Sequence, residues 1–193
     1  VFIHYQNLLS GATLPEPQVD NVFKEYIALE QQALNDRSAR DYWQEIARCS
    51  QFGQLPQLTS LQSERTTAAH EVIGISELSA TLIDMAQEFE VPMQAILLAA
   101  HCKVLTAYSG RNVASTSVVT NGRPERIGGE KGLGLFLNSL PFNVNVQVAS
   151  WAELFKNIAE NLADSFAYRH FPVSEIQRIS QKNFSEIIFN YTH

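Results

Sequence analysis

The sequence predicts an α/β lobe, a mixed sheet flanked by helices, preceded by an N-terminal helical segment. Three observations carry that prediction. Apolar residues recur at helical spacing in several stretches, most cleanly at Leu154, Ile158, Leu162 and Phe166. The run Val113-Ala114-Ser115-Thr116-Ser117-Val118-Val119-Thr120 is rich in β-branched and small residues and suits a central strand. Beyond residue 68 the two kinds of segment alternate.

Residues 1–10 read as a helix already under way that stops at Gly11. Leu14-Pro15-Glu16-Pro17 reads as a linker, because two prolines two apart forbid a helix interior. Asp20 is the expected N-cap of the next helix, with Val22, Phe23, Tyr26, Ile27, Leu29 and Leu34 at helical spacing. A further helix from Asp36 to about Arg48 places Tyr42, Trp43 and Ile46 on one face. Residues 1–48 thus form a helical segment. Residues 49–67, polar and interrupted by Gly53 and Pro56, form a long connection. The α/β lobe is expected over 68–193.

Within the lobe, Glu71-Val72-Ile73-Gly74-Ile75 reads as a strand, and Ser76 as the cap of a helix running to about Glu90. Pro92 opens the helix Met93 to Tyr108, which is apolar almost all round and is expected to be buried. Ser109-Gly110 ends it. After the central strand comes a turn-rich stretch, Asn121-Gly122-Arg123-Pro124 and then Gly128-Gly129. Leu133 to Phe142 is apolar, with Asn138 its only amide, and reads as a crossover segment feeding an edge strand over Phe142–Val146. Gly134 permits a close backbone approach there, and Pro141 offers no N–H to a central ladder. Ser150-Trp151-Ala152-Glu153 is a capping box. Pro172 begins a short helix ending near Arg178, and Ile187 to Tyr191 is the last strand. So apolar a strand needs neighbours on its open side, and the chain is expected to be a piece of something larger.

The chain has 193 residues, 45% of them hydrophobic, enough to bury a substantial core. A net charge of −6 and the lack of any Lys/Arg cluster speak against nucleic acid. No apolar run reaches the length of a membrane helix. Cys49 and Cys102 have no metal-like spacing, and Cys102 reads as a small core residue. With no disulfide framework, a cytoplasmic location is expected.

Reactive groups are sparse. His101 lies in an apolar helix and reads as a core histidine with a hydrogen-bond partner. His4 and His70 have no polar company and read as structural or exposed, while His193 is terminal. His170 follows a helix end, where an imidazolium would suit the helix dipole; a ligand contact is its second reading. No Gly-x-Ser-x-Gly elbow, His-Glu-x-x-His or Cys-x-x-Cys is present, so neither a hydrolase nucleophile nor a metal site is expected. The glycines at 128, 129, 132 and 134 lack the order and the Lys-Ser/Thr ending of a phosphate loop. Arg123 is a turn residue first and an anion contact second. On residues alone, this is an α/β lobe without a self-sufficient active site.

Leu133-Gly134-Leu135-Phe136-Leu137-Asn138-Ser139-Leu140 resembles the Ile-Gly-x-Phe-Val-Asn-Thr-Leu signature of the condensation domains of nonribosomal peptide synthetases. The likeness continues in order along the chain. Phe23-Lys24-Glu25-Tyr26-Ile27-Ala28 is similar to the family's Tyr-x-Asp-Tyr-Ala element, and Tyr42-Trp43 to its Tyr-Trp. Val91-Pro92-Met93 onward and Tyr108-Ser109-Gly110 resemble the family's buried helix and its end. Val118 to Pro124 resembles its Gly-Arg-Pro strand and turn. Phe171-Pro172 and Ile188-Phe189-Asn190-Tyr191 resemble later elements. Departures are Asn143 in place of an arginine, Tyr168-Arg169-His170 in place of His/Asn-Gln-Asp, and Val173-Ser174 in place of Phe-Glu. The arginine expected shortly before Phe184 has no clean counterpart.

The resemblance implies the C-terminal portion of a domain with two chloramphenicol acetyltransferase-like lobes and a tunnel between them. Carrier proteins would deliver phosphopantetheine thioesters from opposite faces, an amine would attack the donor thioester, and an amide would form. No cofactor would be bound by this chain directly. The partners implied are carrier proteins, adjacent synthetase domains and the other lobe of the same domain. The family's catalytic motif, His-His-x-x-x-Asp-Gly, is not in this sequence, so no residue here is assigned a catalytic role and the chain alone is expected to be inactive. Gly134, Phe136, Asn138, Ser139 and Arg123 are assigned to the crossover or tunnel wall. Two rivals remain: a non-catalytic recruitment platform, and an acyltransferase of the same superfamily using a soluble acyl-CoA.

Overall fold

Strand β1 (Val113–Asn121) is the axis of the fold, and its neighbours explain its composition. Strand β2 (Leu137–Asn145) pairs antiparallel along its whole length, from Val113 opposite Asn145 to Asn121 opposite Leu137. Strand β3 (Ile188–Phe189) pairs parallel on the other side, giving a mixed sheet in the order β2-β1-β3. A strand covered on both faces has no solvent side to fill with charge, and Ala114 to Val118 are all buried. The structure, a computed structural model, describes residues 2–12, 21–52, 70–184 and 186–192.

Helices α1 (Phe2–Leu9), α2 (Val22–Asn35) and α3 (Arg37–Cys49) form the N-terminal segment. Asp36 caps α3 by accepting from Ser38 N at 2.9 Å. The Ser38 hydroxyl also donates to it and holds the carboxyl below its ordinary pKa. A turn of 3₁₀ helix (Ser76–Leu78) leads into α4 (Ser79–Glu88), followed by α5 (Met93–Ser109). Pro92 sits at the N-cap of α5, and Gly110 ends it in the left-handed conformation, φ +68°. The capping box of α6 (Trp151–Phe166) forms: Ser150 Oγ accepts from Glu153 N at 3.1 Å. Its carboxylate accepts from Ala149 N, one residue earlier than the usual partner. Helix α7 (Val173–Ser180) completes the set.

Two cores result. In one cluster α5 and α6 pack on the sheet through Leu98, Ala99, Cys102, Phe142, Val144, Leu154, Phe155 and Ile158. In a second cluster, α3 and α7 enclose Trp43, Leu140, Phe171, Ile176 and Phe184. Fully burying a side chain of this size contributes about 1.5–3 kcal/mol, so these two clusters hold the layers together. The C-terminal end of α3 is anchored by side chains from distant chain. Lys182 Nζ donates to the carbonyls of Ala47, Arg48 and Ser50, and Asn143 Nδ2 donates to that of Ile46 at 2.8 Å.

Several expectations are corrected. Residues 71–75 form no strand: Val72 and Ile73 are 82% and 74% exposed and pair with nothing described, because β-branched residues make a strand only beside an available edge. Ser76 opens the 3₁₀ turn rather than capping a helix. The N-cap of α2 is Asn21; Asp20 lies outside the described residues, as do the Leu14–Pro17 linker and most of the 49–67 connection. Helix α5 is buried on one side only, since Val104 and Tyr108 are more than half exposed. Residues 137–142 belong to strand β2 rather than to a separate crossover, and Pro141 sits opposite Ser117 in the ladder. The last strand is shorter than expected, two residues long.

Candidate functional site at the head of strand β2

Four of the five residues assigned to the crossover meet other elements in ways that fix their roles. The turn after β1 is closed by Asn121, whose Oδ1 accepts from Arg123 N at 3.0 Å. That turn aims the Arg123 guanidinium back across the loop, where Nη1 donates to the carbonyls of Gly129 and Gly132 at 2.8 and 2.7 Å. The guanidinium also lies 3.9 Å from the centre of the Phe136 ring. Arg123 therefore staples the loop, and its reading as an anion contact is not supported by this placement.

Phe136 is buried and meets Phe23 and Tyr26 edge-on at 5.6 and 5.4 Å. Gly134 is in contact with the same helix. A Cβ built on it would stand 2.4 Å from the Phe23 ring, and one on Gly132 would stand 2.5 Å from Val22. Helix α2 can lie this close only because the loop is side-chain-free at both points. Burial, followed by the Glu30 carboxylate, pushes the Tyr26 hydroxyl up to about 12.

Asn138 is the centre of a second network. Its Nδ2 donates to the carbonyls of Arg169 and Phe171 at 3.1 and 2.8 Å. Its Oδ1 accepts from Val173 N at 3.3 Å and from Ser139 N at 3.1 Å. One amide side chain thus satisfies backbone groups on both sides of the turn between α6 and α7. Ser139 points the other way along the strand, and its buried Oγ makes no hydrogen bond among the described residues.

Two of the histidines, His170 and His101, are occupied structurally. His170 Nε2 donates to the Gly122 carbonyl at 2.9 Å. Burial draws its pKa below 6.5, so the imidazolium expected at the helix end is not favoured. His101 Nε2 donates to Thr116 Oγ1 at 3.0 Å, because the Thr116 hydroxyl itself donates to Ile187 O at 3.2 Å. Burial lowers its pKa as well. Burial also pushes the Cys102 thiol up to about 12. Several carboxylates are committed to arginines: Glu25 to Arg126, Glu125 to Arg169, and Glu175 to Arg40 and Arg178. Among the described residues no three His, Cys, Asp or Glu side chains are grouped to hold a metal. What the arrangement offers is a set of side chains committed to backbone groups; among the described residues it builds in no poised acid–base pair.

Sequence reasoning found Asn138 and Phe136 but missed Lys182 and the part that Asn143 plays beside it. Their partners lie on α3, remote in sequence, and no local pattern signals them.

Residues 1–191 match the family model described as Condensation domain. The chain is 28% identical over 188 residues to the AMB antimetabolite synthetase AmbE of Pseudomonas aeruginosa, covering 97% of this chain and 9% of that protein. It is 33% identical over 102 residues to gramicidin S synthase 2 of Brevibacillus brevis, covering 52% of this chain and 2% of that one. Among solved structures, a four-domain nonribosomal peptide synthetase bound to AMP and glycine superposes with TM-score 0.76 at 16% identity, covering 99% of this chain and 16% of that chain. The first condensation domain of the calcium-dependent antibiotic synthetase, in complex with a substrate analogue, gives 0.72 at 17%, covering 96% and 41%. At these identities the superpositions establish the fold alone, and the chain spans less than half the length of each of these proteins.

Proposed function

Because the chain belongs to the condensation-domain family, we propose that it forms the C-terminal portion of such a domain. In that role it provides one wall of a tunnel in which a carrier-bound amine attacks a carrier-bound acyl or peptidyl thioester. The observation that carries this reading is the Asn138 network, in which the family's signature amide pins the head of β2 to the turn before α7. Amide formation needs the amine and the carbonyl oriented together, and orientation is worth several powers of ten in rate. A stiff wall supplies that. Proton transfer would come from the His-His-x-x-x-Asp-Gly motif, which this sequence does not contain. Phosphopantetheine would arrive on the carrier proteins, and the chain's two free cysteines suit a reducing cytoplasm.

The test is reconstitution. The chain is combined with a polypeptide bearing that motif and with two loaded carrier proteins, and the products are read by mass spectrometry. An amide-linked product is expected from the combination and none above background from the chain alone. Product from the chain alone, or none from the combination, would reject the reading.

A further inference from the structure

Helix α6 is seated on the protein over only part of its length. Leu154, Phe155 and Ile158 are buried, whereas Leu162 is half-buried and Ala163 and Phe166 are exposed. Where the helix lifts away, a cleft of about 260 Å³ opens between its C-terminal half, the start of α5 and the paired strands. Its floor is set by Trp43, Val118, Leu140 and Phe142, none more than 6% exposed. No charged side chain and no histidine lines it; the polar lining side chains are Gln94, Thr120 and Ser165, and the Ser165 hydroxyl already donates to the Leu162 carbonyl at 2.8 Å.

These walls select a ligand class. A charged or phosphorylated group would lose its hydration and find no opposite charge here. An apolar group would not meet that penalty. A dry cavity of roughly 150 Å³ is enough to hold a benzene ring, so this cleft admits something larger. Its lining on α6 runs from Ala159 to Phe166, about 10 Å of helix at 1.5 Å per residue. A volume of about 260 Å³ spread along that length fits an extended hydrocarbon chain better than a compact ring system.

We propose that this cleft binds the hydrocarbon part of an acyl group, a straight chain of roughly six to eight carbons. That the chain belongs to a thioester substrate rests on the condensation reading above. Each methylene moved from water into such a site tightens binding roughly fourfold. Six additional methylenes, only partly buried, should therefore give about a hundredfold or more.

The full chain is titrated with octanoyl-pantetheine and with acetyl-pantetheine, following the heat of binding and, independently, the fluorescence of Trp43 at the cleft floor in a Trp151→Phe variant, which removes the other tryptophan. Octanoyl-pantetheine is expected to bind about a hundredfold or more tighter than the acetyl compound. Ala163→Leu, which adds bulk at the exposed edge of the cleft, is expected to weaken the octanoyl compound about tenfold while leaving the circular dichroism spectrum unchanged. Equal affinities, no binding of either compound, or a folded Ala163→Leu protein with undiminished affinity would overturn the proposal. If that variant does not fold, the two titrations of the unaltered chain decide. A preference for the octanoyl compound in a chain that fails reconstitution would reject the condensation reading and keep the cleft; amide formation without that preference would do the reverse.

Discussion

Asn138 donates from Nδ2 to the carbonyl of Phe171, 33 residues further along the chain, at 2.8 Å. Phe171 is fully buried, and its ring packs in the core that holds Trp43 and Ile176. One hydrogen bond therefore couples the head of β2 to the core beneath α3 and α7.

Asn138→Ala removes two donors and an acceptor at once. The Phe171 carbonyl and the Val173 amide lose their partner, at roughly 1–3 kcal/mol for each buried group left unpaired. Urea denaturation should show a fall in stability on that order. Asn138→Asp should be worse at pH 7 than at pH 4. A carboxylate can still accept from Val173 N but faces two carbonyls, and protonation restores one donor. Relative to the unaltered chain, that variant should lose stability as pH rises through the raised carboxyl pKa. A loss relative to the unaltered chain that is equal at both pH values would contradict the geometry.

Gly134→Val should lower soluble yield and stability, because a Cβ at that position meets the Phe23 ring at 2.4 Å with the backbone at φ +156°. Overpacking of this kind typically costs about 1–3 kcal/mol. Phe23→Ala removes the obstructing ring. In a double-mutant cycle the combined variant should be less unstable than the sum of the two single changes. Strict additivity would show that the collision is not the cause.

Acid should weaken the fold before the carboxylates titrate. Burial depresses the pKa of His101 and His170 from 6.5 in the folded chain. Just below pH 6.5 the unfolded chain thus binds more protons than the folded one, and stability drops as pH falls through that window. Glu45, Glu175 and Asp36, held low by their hydrogen bonds, lose their contributions only below their ordinary values of 4.5, 4.5 and 3.8. His101→Gln should flatten the slope between pH 6.5 and 5. An unchanged slope in that variant would contradict the assignment.

The two thiols should react at very different rates. Cys49 is exposed, whereas Cys102 is buried and its thiol is pushed up to about 12. An aromatic disulfide reagent at pH 8 should titrate one thiol quickly in the native chain and two in urea. Two fast thiols in the native state would mean that α5 does not pack as described.

The alternation of helices and strands was legible because each element carries its own period. So was the central strand, whose Val-Ala-Ser-Thr-Ser-Val-Val-Thr run leaves no solvent face. Asn138 was legible for a chemical reason: a lone amide in an apolar segment must find partners. Residues 71–75 misled because Val72, Ile73 and Ile75 have strand-like character, yet a strand also requires an edge, which no local pattern encodes. Arg123 could be placed in a turn, but its two carbonyl partners and the Phe136 ring depend on how the loop closes. Lys182 was invisible, since the three carbonyls it caps lie 132 to 135 residues earlier in the chain.

The role proposed for this wall is to orient reactants without moving a proton. The most direct measurement is the pH–rate profile of amide formation in the reconstituted domain, with the unaltered chain and with Asn138→Ala. An amide has no proton to exchange near neutral pH, so the variant should be slower by about tenfold or more from misplacement, with both limbs of the profile unmoved. A shifted or missing limb, measured under conditions in which the variant is still folded, would show that Asn138 tunes a catalytic group, and the orienting role assigned to it would be wrong.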